Sequence, residues 1–398
     1  MSNMPNKLYR LFGMRLRSAR IAAGLTLREL SARLGYRVSY NALAKYEKGL
    51  MMPEGEVLRC LGIILNRPKE YFVENLPGRT WEIAFRRKKG MSLSQVASLG
   101  ERVNKMFTHY CGLERLLGIE HVFVNPLNDP IIRTGADAEA AAEQVRKIWE
   151  TGSGPILSVT KLIEEQHIVI LYEDLDKSFE GISGWAKCTN PLQPPGGFQA
   201  TKPIPAQDGF QESTPVPSPG VFQCAKPLIL LNSKLDHEQR RHTALRELGN
   251  LLLGFDEKLS LKDCEHLCTR FSAAFILPRE TFFRELGRKR YHISTPELIR
   301  MRETYGIPVK GLMSRAKTLE VICDYTYKTF RMRISVNPAE NDLGWFCGRE
   351  SGDRFKSMVF RAEADGLIFQ REAAGLLNLK ENQFRMESLI LRDPGWNP

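Results

Sequence analysis

The sequence predicts an α+β protein that is mostly helical: a leading run of short helices, then a helix-plus-small-sheet domain, then a helical or irregular C-terminal part. Three observations predict it. The chain has 398 residues, enough for two or three domains. Apolar residues recur at helical spacing through most of it, and strand-like runs are few and short. The charge is also divided. Residues 1–100 hold 18 Lys and Arg against 7 Asp and Glu, which is the whole formal +11, while the other 298 residues carry 39 of each. A basic first quarter on a neutral remainder implies a polyanion partner for that quarter and a separate task for the rest.

The leading helices follow from stripes, caps and glycines. Leu11, Met14, Leu16 and Ile21 suggest the stripe of a first helix, with Arg15, Arg17 and Arg20 mostly outside it. Gly24 ends that helix. Thr26 caps a second, Leu27 to Leu34, and Glu29 three residues later completes a capping box. Ser39 caps a third, Tyr40 to Glu47, which Gly49 closes, and Pro53 precedes a fourth, around Glu56 to Leu65. Two short helices joined by a tight Gly-containing turn make the helix-turn-helix pattern.

The stretches GLTLRELSARLG, VSYNALAKYEKG and EVLRCLGIILN resemble the Cro/repressor-type (XRE) helix-turn-helix domain. The resemblance implies a five-helix-type DNA-binding domain over residues 1–75. Two departures stand out: Tyr36 and Arg37 lengthen the turn, and Leu27 replaces the usual Gln. In such a domain the third helix sits in the major groove with its N-terminal side chains at base edges. Ser39, Tyr40 and Asn41 are the candidates there, and Asn41 suits a bidentate bond to adenine. Arg17, Arg20, Arg28, Arg37, Lys45 and Lys48 suit phosphate contacts, which position without specifying, and Thr26 joins the DNA-contacting set. The competing reading is a protein-binding module with a solvated basic face. The concentrated charge favours double-stranded DNA.

Residues 76–134 form a linker and a long helix. Trp81 to Phe85 is strand-like, and Arg86-Arg87-Lys88-Lys89 either extends the DNA footprint or is a solvated turn. Over 92–118, Val96, Leu99, Val103, Met106, Tyr110 and Leu113 fall on one face of a helix. That face pairs with a second copy in a homodimer or packs within the chain.

The central domain, 135–325, alternates helices with short apolar runs. Helices are expected at 135–150, from Pro155, at Asp236 to Leu253 and at Lys262 to Ile276; strands at His167 to Tyr172, Phe179 to Trp185 and Leu228 to Asn232. A long Pro-, Gly- and Ser-rich loop, 187–227, interrupts them. The stretches RRHTALRELGNLLLG and EHLCTRFSAAFILP resemble the ImmA/IrrE family of zinc-dependent peptidases, which implies a zincin-like fold. The family's HExxH helix holds Zn²⁺ through two His at i and i+4, with the intervening Glu as general base. Here the two His positions are Arg246 and Asn250; Glu247 stands at the general-base position and Glu265 at the third-ligand position. Arg is a permanent cation and Asn a weak neutral donor, so neither a metal nor another cofactor is expected. A displaced site drawn from His242, Glu265, His266, Cys264 and Cys268 lacks a complete ligand spacing.

Residues 293–322 resemble the helical pair that ends this family's core, and 326–398 form an extension in which Glu363 to Arg385 is apolar at helical spacing. The resemblance of the whole is to fused XRE–ImmA/IrrE regulators, including antitoxin-like members. It implies a sequence-specific transcriptional regulator, a repressor, whose second domain is a pseudopeptidase serving as sensor or docking site for a protein or small-molecule effector. The alternatives are an antitoxin-type autoregulator of a toxin–antitoxin or phage-related operon, and an active peptidase with an atypical metal site. The eight cysteines form no CxxC pair, and neither a signal-peptide core nor a long apolar run occurs, so a cytoplasmic protein without a membrane partner is expected.

Overall fold

The structure, a computed structural model, describes residues 7–67, 69–73, 81–85, 93–119, 121–128, 131–176, 179–188, 225–337, 343–350 and 352–392. In chain order come α1 (Lys7–Ala22), α2 (Leu27–Arg33), α3 (Tyr40–Glu47), α4 (Gly55–Ile64), α5 (Lys69–Val73), β1 (Trp81–Phe85) and α6 (Leu93–Leu117). There follow β2 (Ile131–Ile132), α7 (Gly135–Ile148), α8 (Val159–Glu165), β3 (Val169–Glu173), β4 (Gly181–Cys188), β5 (Ala225–Asn232), α9 (His237–Leu252), β6 (Gly254–Phe255) and α10 (Leu261–Ile276). The last are α11 (Arg279–Leu286), α12 (Thr295–Tyr305), α13 (Val309–Thr318), α14 (Asp324–Val336), α15 (Arg354–Ala364), α16 (Gln370–Leu376) and α17 (Glu381–Arg392). The protein is thus α+β and mostly helical. The Arg86–Lys89 run and positions 189–224 of the expected loop lie outside the described residues. Among the described residues no helix is long and apolar enough to cross a membrane.

The chain divides into two compact units: 1–79 with 105–121 and 353–398, and 80–104 with 122–352. In the first, α1 packs on α3 because Gly13 lets the backbones touch; a Cβ there would lie 2.5 Å from the Tyr46 carbonyl oxygen. The buried face of α1 is Leu11, Phe12, Arg15, Leu16 and Ala19. At about 100° per residue, Ile21 falls on the far side beside Arg17, and it is 57% exposed rather than part of the stripe. Arg15 sits inside the stripe, 1% exposed. Its guanidinium donates to the Tyr71 carbonyl at 2.8 Å and the Leu367 carbonyl at 3.1 Å. It thereby ties α1 to the turn between α15 and α16. The apolar stretch at 363–385 is not one helix. Gly366 (φ 68°) and Asn378 (φ 53°) turn left-handed and divide it among α15, α16 and α17.

In the second unit the four strand-like runs form one sheet of order β1-β4-β5-β3. β3 and β5 are parallel, and β4 is antiparallel to both of its neighbours. Leu228, Ile229, Leu230 and Leu231 of β5 are fully buried, as an unbroken apolar run in a central strand should be. Helix α9 packs on β4 and β5. Its interior-facing Ala244, Leu245, Leu248 and Leu251 join Phe271 and Phe275 of α10 and Ala142 and Val145 of α7 in one core. Capping boxes at Thr134, Asp236, Ser260 and Ser294 start α7, α9, α10 and α12. Of the predicted stripe of α6, Leu99, Val103, Tyr110 and Leu113 are each at most 3% exposed in the single chain.

Candidate functional site

The helix-turn-helix region presents Arg17, Arg28, Tyr40, Asn41, Lys45 and Lys48 outward. Thr26 Oγ1 accepts from the Glu29 amide at 3.2 Å, and Glu29 accepts from the Thr26 amide at 2.7 Å, so the capping box forms as expected. Ser39 Oγ accepts from the Ala42 amide at 3.2 Å and starts α3. The lengthened turn is accommodated by Gly35 (φ 63°) and Tyr36 (φ 58°), and Ser31 ties its end down by donating to the Val38 carbonyl at 2.6 Å. Tyr40 and Asn41 are exposed at the amino end of α3, and Arg28 lies over the Tyr40 ring at 5.6 Å. Arg17, Lys45 and Lys48 are exposed; Arg37 is exposed and pairs with Glu56 at 3.1 Å.

Arg20 departs from the phosphate contact expected of it. It binds both carboxylate oxygens of Glu47, at 2.6 and 3.1 Å, and the Leu25 carbonyl at 2.7 Å. The bidentate pair raises the Arg20 pKa, and its charge is used to hold α1, the following turn and α3 together. A sequence search for basic residues has no means to see Glu47 as its partner, because 27 positions separate them.

In the second unit the four motif residues do not converge as a set. Glu247 is buried, 1% exposed, and accepts from Ser183 Oγ at 2.9 Å and from Asn250 Nδ2 at 3.3 Å. Asn250 Oδ1 accepts in turn from the Cys268 thiol at 3.4 Å. Arg246 leans away to Glu180, at 2.6 Å, and comes only within 4.0 Å of Glu247. Its main partner is therefore Glu180, just before β4, rather than either motif carboxylate. Glu265 is half-buried, and its carboxylate has no hydrogen bond or ion pair among the described residues. Ser183 and Glu180 were not singled out in the sequence, since neither lies in a motif.

Zinc would need three side-chain donors around one point. Among the described residues no three His, Cys, Asp or Glu side chains are grouped to hold a metal ion. Glu247 is already satisfied by Ser183 and Asn250, and Arg246 brings a positive charge to the position of an imidazole.

One turn earlier on α9, His242 has its Nε2 3.1 Å from the Gly306 carbonyl. Burial, with the Arg241 charge beside it, pushes its pKa down to about 4, so it is neutral at pH 7 and its Nε2–H is the donor. Arg241 is fully buried against Glu350 at 3.4 Å and over the Phe346 ring at 4.1 Å. Glu350, also fully buried, accepts from the Val159 and Thr160 amides at 3.0 Å each and from the Ser158 and Thr160 hydroxyls at 3.1 and 2.9 Å. This carboxylate caps α8 from almost 200 residues away. Phe346 is part of that anchor.

The first unit is a helix-turn-helix architecture with Arg17, Tyr40, Asn41, Lys45 and Lys48 turned to solvent, and the second is a helix-over-small-sheet architecture built around α9 and α10. Comparison with family models names both. Residues 16–72 match the helix-turn-helix family, and residues 203–317 match the IrrE N-terminal-like domain. The chain is therefore a fusion of an XRE-type helix-turn-helix domain with an IrrE/ImmA-like domain. Neither the comparison with curated proteins nor that with solved structures gave a match.

Proposed function

We propose that the protein is a sequence-specific DNA-binding transcription regulator, a repressor, acting in the cytoplasm, whose IrrE-like domain binds a partner or effector and does not cleave peptides. The observation that carries this is the contrast between the two sites. The amino end of α3 leaves Tyr40 and Asn41 exposed beside Arg28, Lys45 and Lys48, whereas Glu247 is consumed by bonds to Ser183 and Asn250. Asn41, Ser39 and Tyr40 read bases; Arg17, Arg28, Arg37, Lys45, Lys48 and the Thr26 end of α2 hold phosphates. A homodimer on two half-sites about 34 Å apart suits a domain of this type.

Two measurements on the full chain test the reading. Affinity for duplex DNA falls linearly as log salt rises, and Lys45→Ala weakens operator and random DNA alike. The purified chain holds no stoichiometric zinc by elemental analysis. Zinc bound one per chain and lost in Glu265→Ala, or cleavage abolished by Glu247→Gln, would replace this reading with that of an atypical peptidase.

A further inference from the structure

Helix α14 is apolar on two sides. One side faces the core of the second unit: Phe330 belongs to that core, and the half-buried Tyr327 and Ile334 pack against it. The other side carries Tyr325, Met332 and Val336, which are 78%, 62% and 88% exposed, with the exposed Thr329 between them. At about 100° per residue these four fall within an arc of about 60°, so they form one stripe along the solvent face of the helix. A helix lying on a domain surface is ordinarily polar there. Tyr291, almost fully exposed, adds to the apolar surface beside the first turn, where Thr326 donates to its carbonyl at 3.2 Å. The helix lies beyond residue 317, where the match to the IrrE N-terminal-like domain ends.

The charge along the stripe has one sign. Lys328 falls about 60° to one side of Tyr325 and Arg333 about 80° to the other. Both are exposed, as is Arg331. Neither Lys328 nor Arg331 has an acidic partner among the described residues. The single acid of the helix, Asp324, is taken by Lys317 at 3.0 Å. An apolar stripe between basic rows is the complement of a helix whose own stripe runs between acidic rows. Pairing of α14 with a second copy of itself would bring the basic rows together, which opposes it. Met332 and Val336 within the stripe offer nothing to a phosphate group, so the face suits a protein rather than a nucleic acid.

We propose that the solvent face of α14 is the partner-docking surface of the second unit, and that its ligand is an amphipathic helix of another protein with Asp or Glu on both sides of its apolar stripe. The proposal rests on the reading of this unit as a binding domain. Docking covers Tyr325, Met332 and Val336 and sets the partner's carboxylates against Lys328 and Arg333.

The probe is a fluorescein-labelled peptide of three ELAALEE repeats, a helix with a leucine stripe between glutamates, titrated by anisotropy against the full chain. Its control has three KLAALKK repeats, with the same stripe between lysines. The acidic peptide is expected to bind at least tenfold more tightly than the basic one, and Met332→Glu to abolish its binding. Lys328→Glu/Arg333→Glu is expected to reverse the preference. All three substituted side chains are exposed, and circular dichroism checks that each variant folds. Equal binding of the two peptides, or binding of neither, overturns the proposal. A tenfold loss of duplex DNA affinity in the charge-reversed variant would assign the face to nucleic acid instead. Self-association of the unmodified chain that Met332→Glu removes would assign it to a second copy, and either result overturns the proposal. Stoichiometric zinc or peptide cleavage would sink the functional reading without moving the preference between the two peptides.

Discussion

The amino end of α3 and the middle of α9 carry similar side chains put to opposite uses. Each has an Asn, Asn41 and Asn250, and each has an Arg nearby, Arg28 and Arg246. Asn41 is exposed on the first turn of its helix. Asn250 donates to Glu247 and accepts from Cys268, so both ends of its amide are engaged. Arg28 rests on the Tyr40 ring at the surface, while Arg246 is paired with Glu180 across to the sheet. A polar group kept in solvent loses little until a ligand arrives, and then its whole bonding capacity is available. A polar group satisfied internally contributes to the fold and has little left to offer. On that physical ground the amino end of α3 keeps its bonding capacity at the surface, and the middle of α9 spends its own inside the fold.

The strongest way to sharpen this contrast is to break an internal bond in the second unit. Glu350→Ala leaves Arg241 as a buried unpaired charge and uncaps α8, and it should cost about 3–5 kcal/mol in chemical denaturation. Next is Arg15→Met, which removes two buried charge-assisted bonds from the first unit; a loss of about 2–3 kcal/mol is expected by the same method. Asn41→Ala should leave stability unchanged and cost about 1–3 kcal/mol of discrimination between operator and random DNA, read by competition binding. An equal loss on both DNAs would remove Asn41 from base recognition.

A pH titration gives a smaller effect with a defined sign. The folded pKa of His242, about 4, lies below its ordinary value near 6.5, so the unfolded state takes up the proton first. Its contribution to stability is present above about pH 6.5 and is lost as pH falls toward 4, with a slope of at most about 1.4 kcal/mol per pH unit. Urea midpoints between pH 7 and 4 should show this slope, and His242→Gln should flatten it. The smallest effect is expected of Glu247→Gln. The uncharged amide keeps a bond to Ser183, and DNA affinity should not move by more than about 0.5 kcal/mol. A tenfold change in DNA binding would mean that the α9 site still speaks to the DNA-binding helices.

The sequence by itself determined what is local. Capping residues, stripes at helical spacing and glycines that admit positive φ marked the helix starts at Thr26 and Ser39, the α9 and α10 spans to within a residue, and four strands. The concentration of charge in the first quarter and the text around residues 246–250 directed attention to two regions that the helix-turn-helix and IrrE-like family models also match. Only the tertiary structure decided the partners. It gave Arg20 to Glu47, Arg246 to Glu180, Glu247 to Ser183, and Glu350 to Arg241 and the start of α8. It buried Arg15 under a turn more than 350 residues away, and it paired β1 with β4 rather than leaving it in a linker. The reason is physical. Helical periodicity and capping are set by neighbours along the chain, whereas the fate of a charged or amide side chain depends on which distant donors the packing of the core brings within about 3 Å of it.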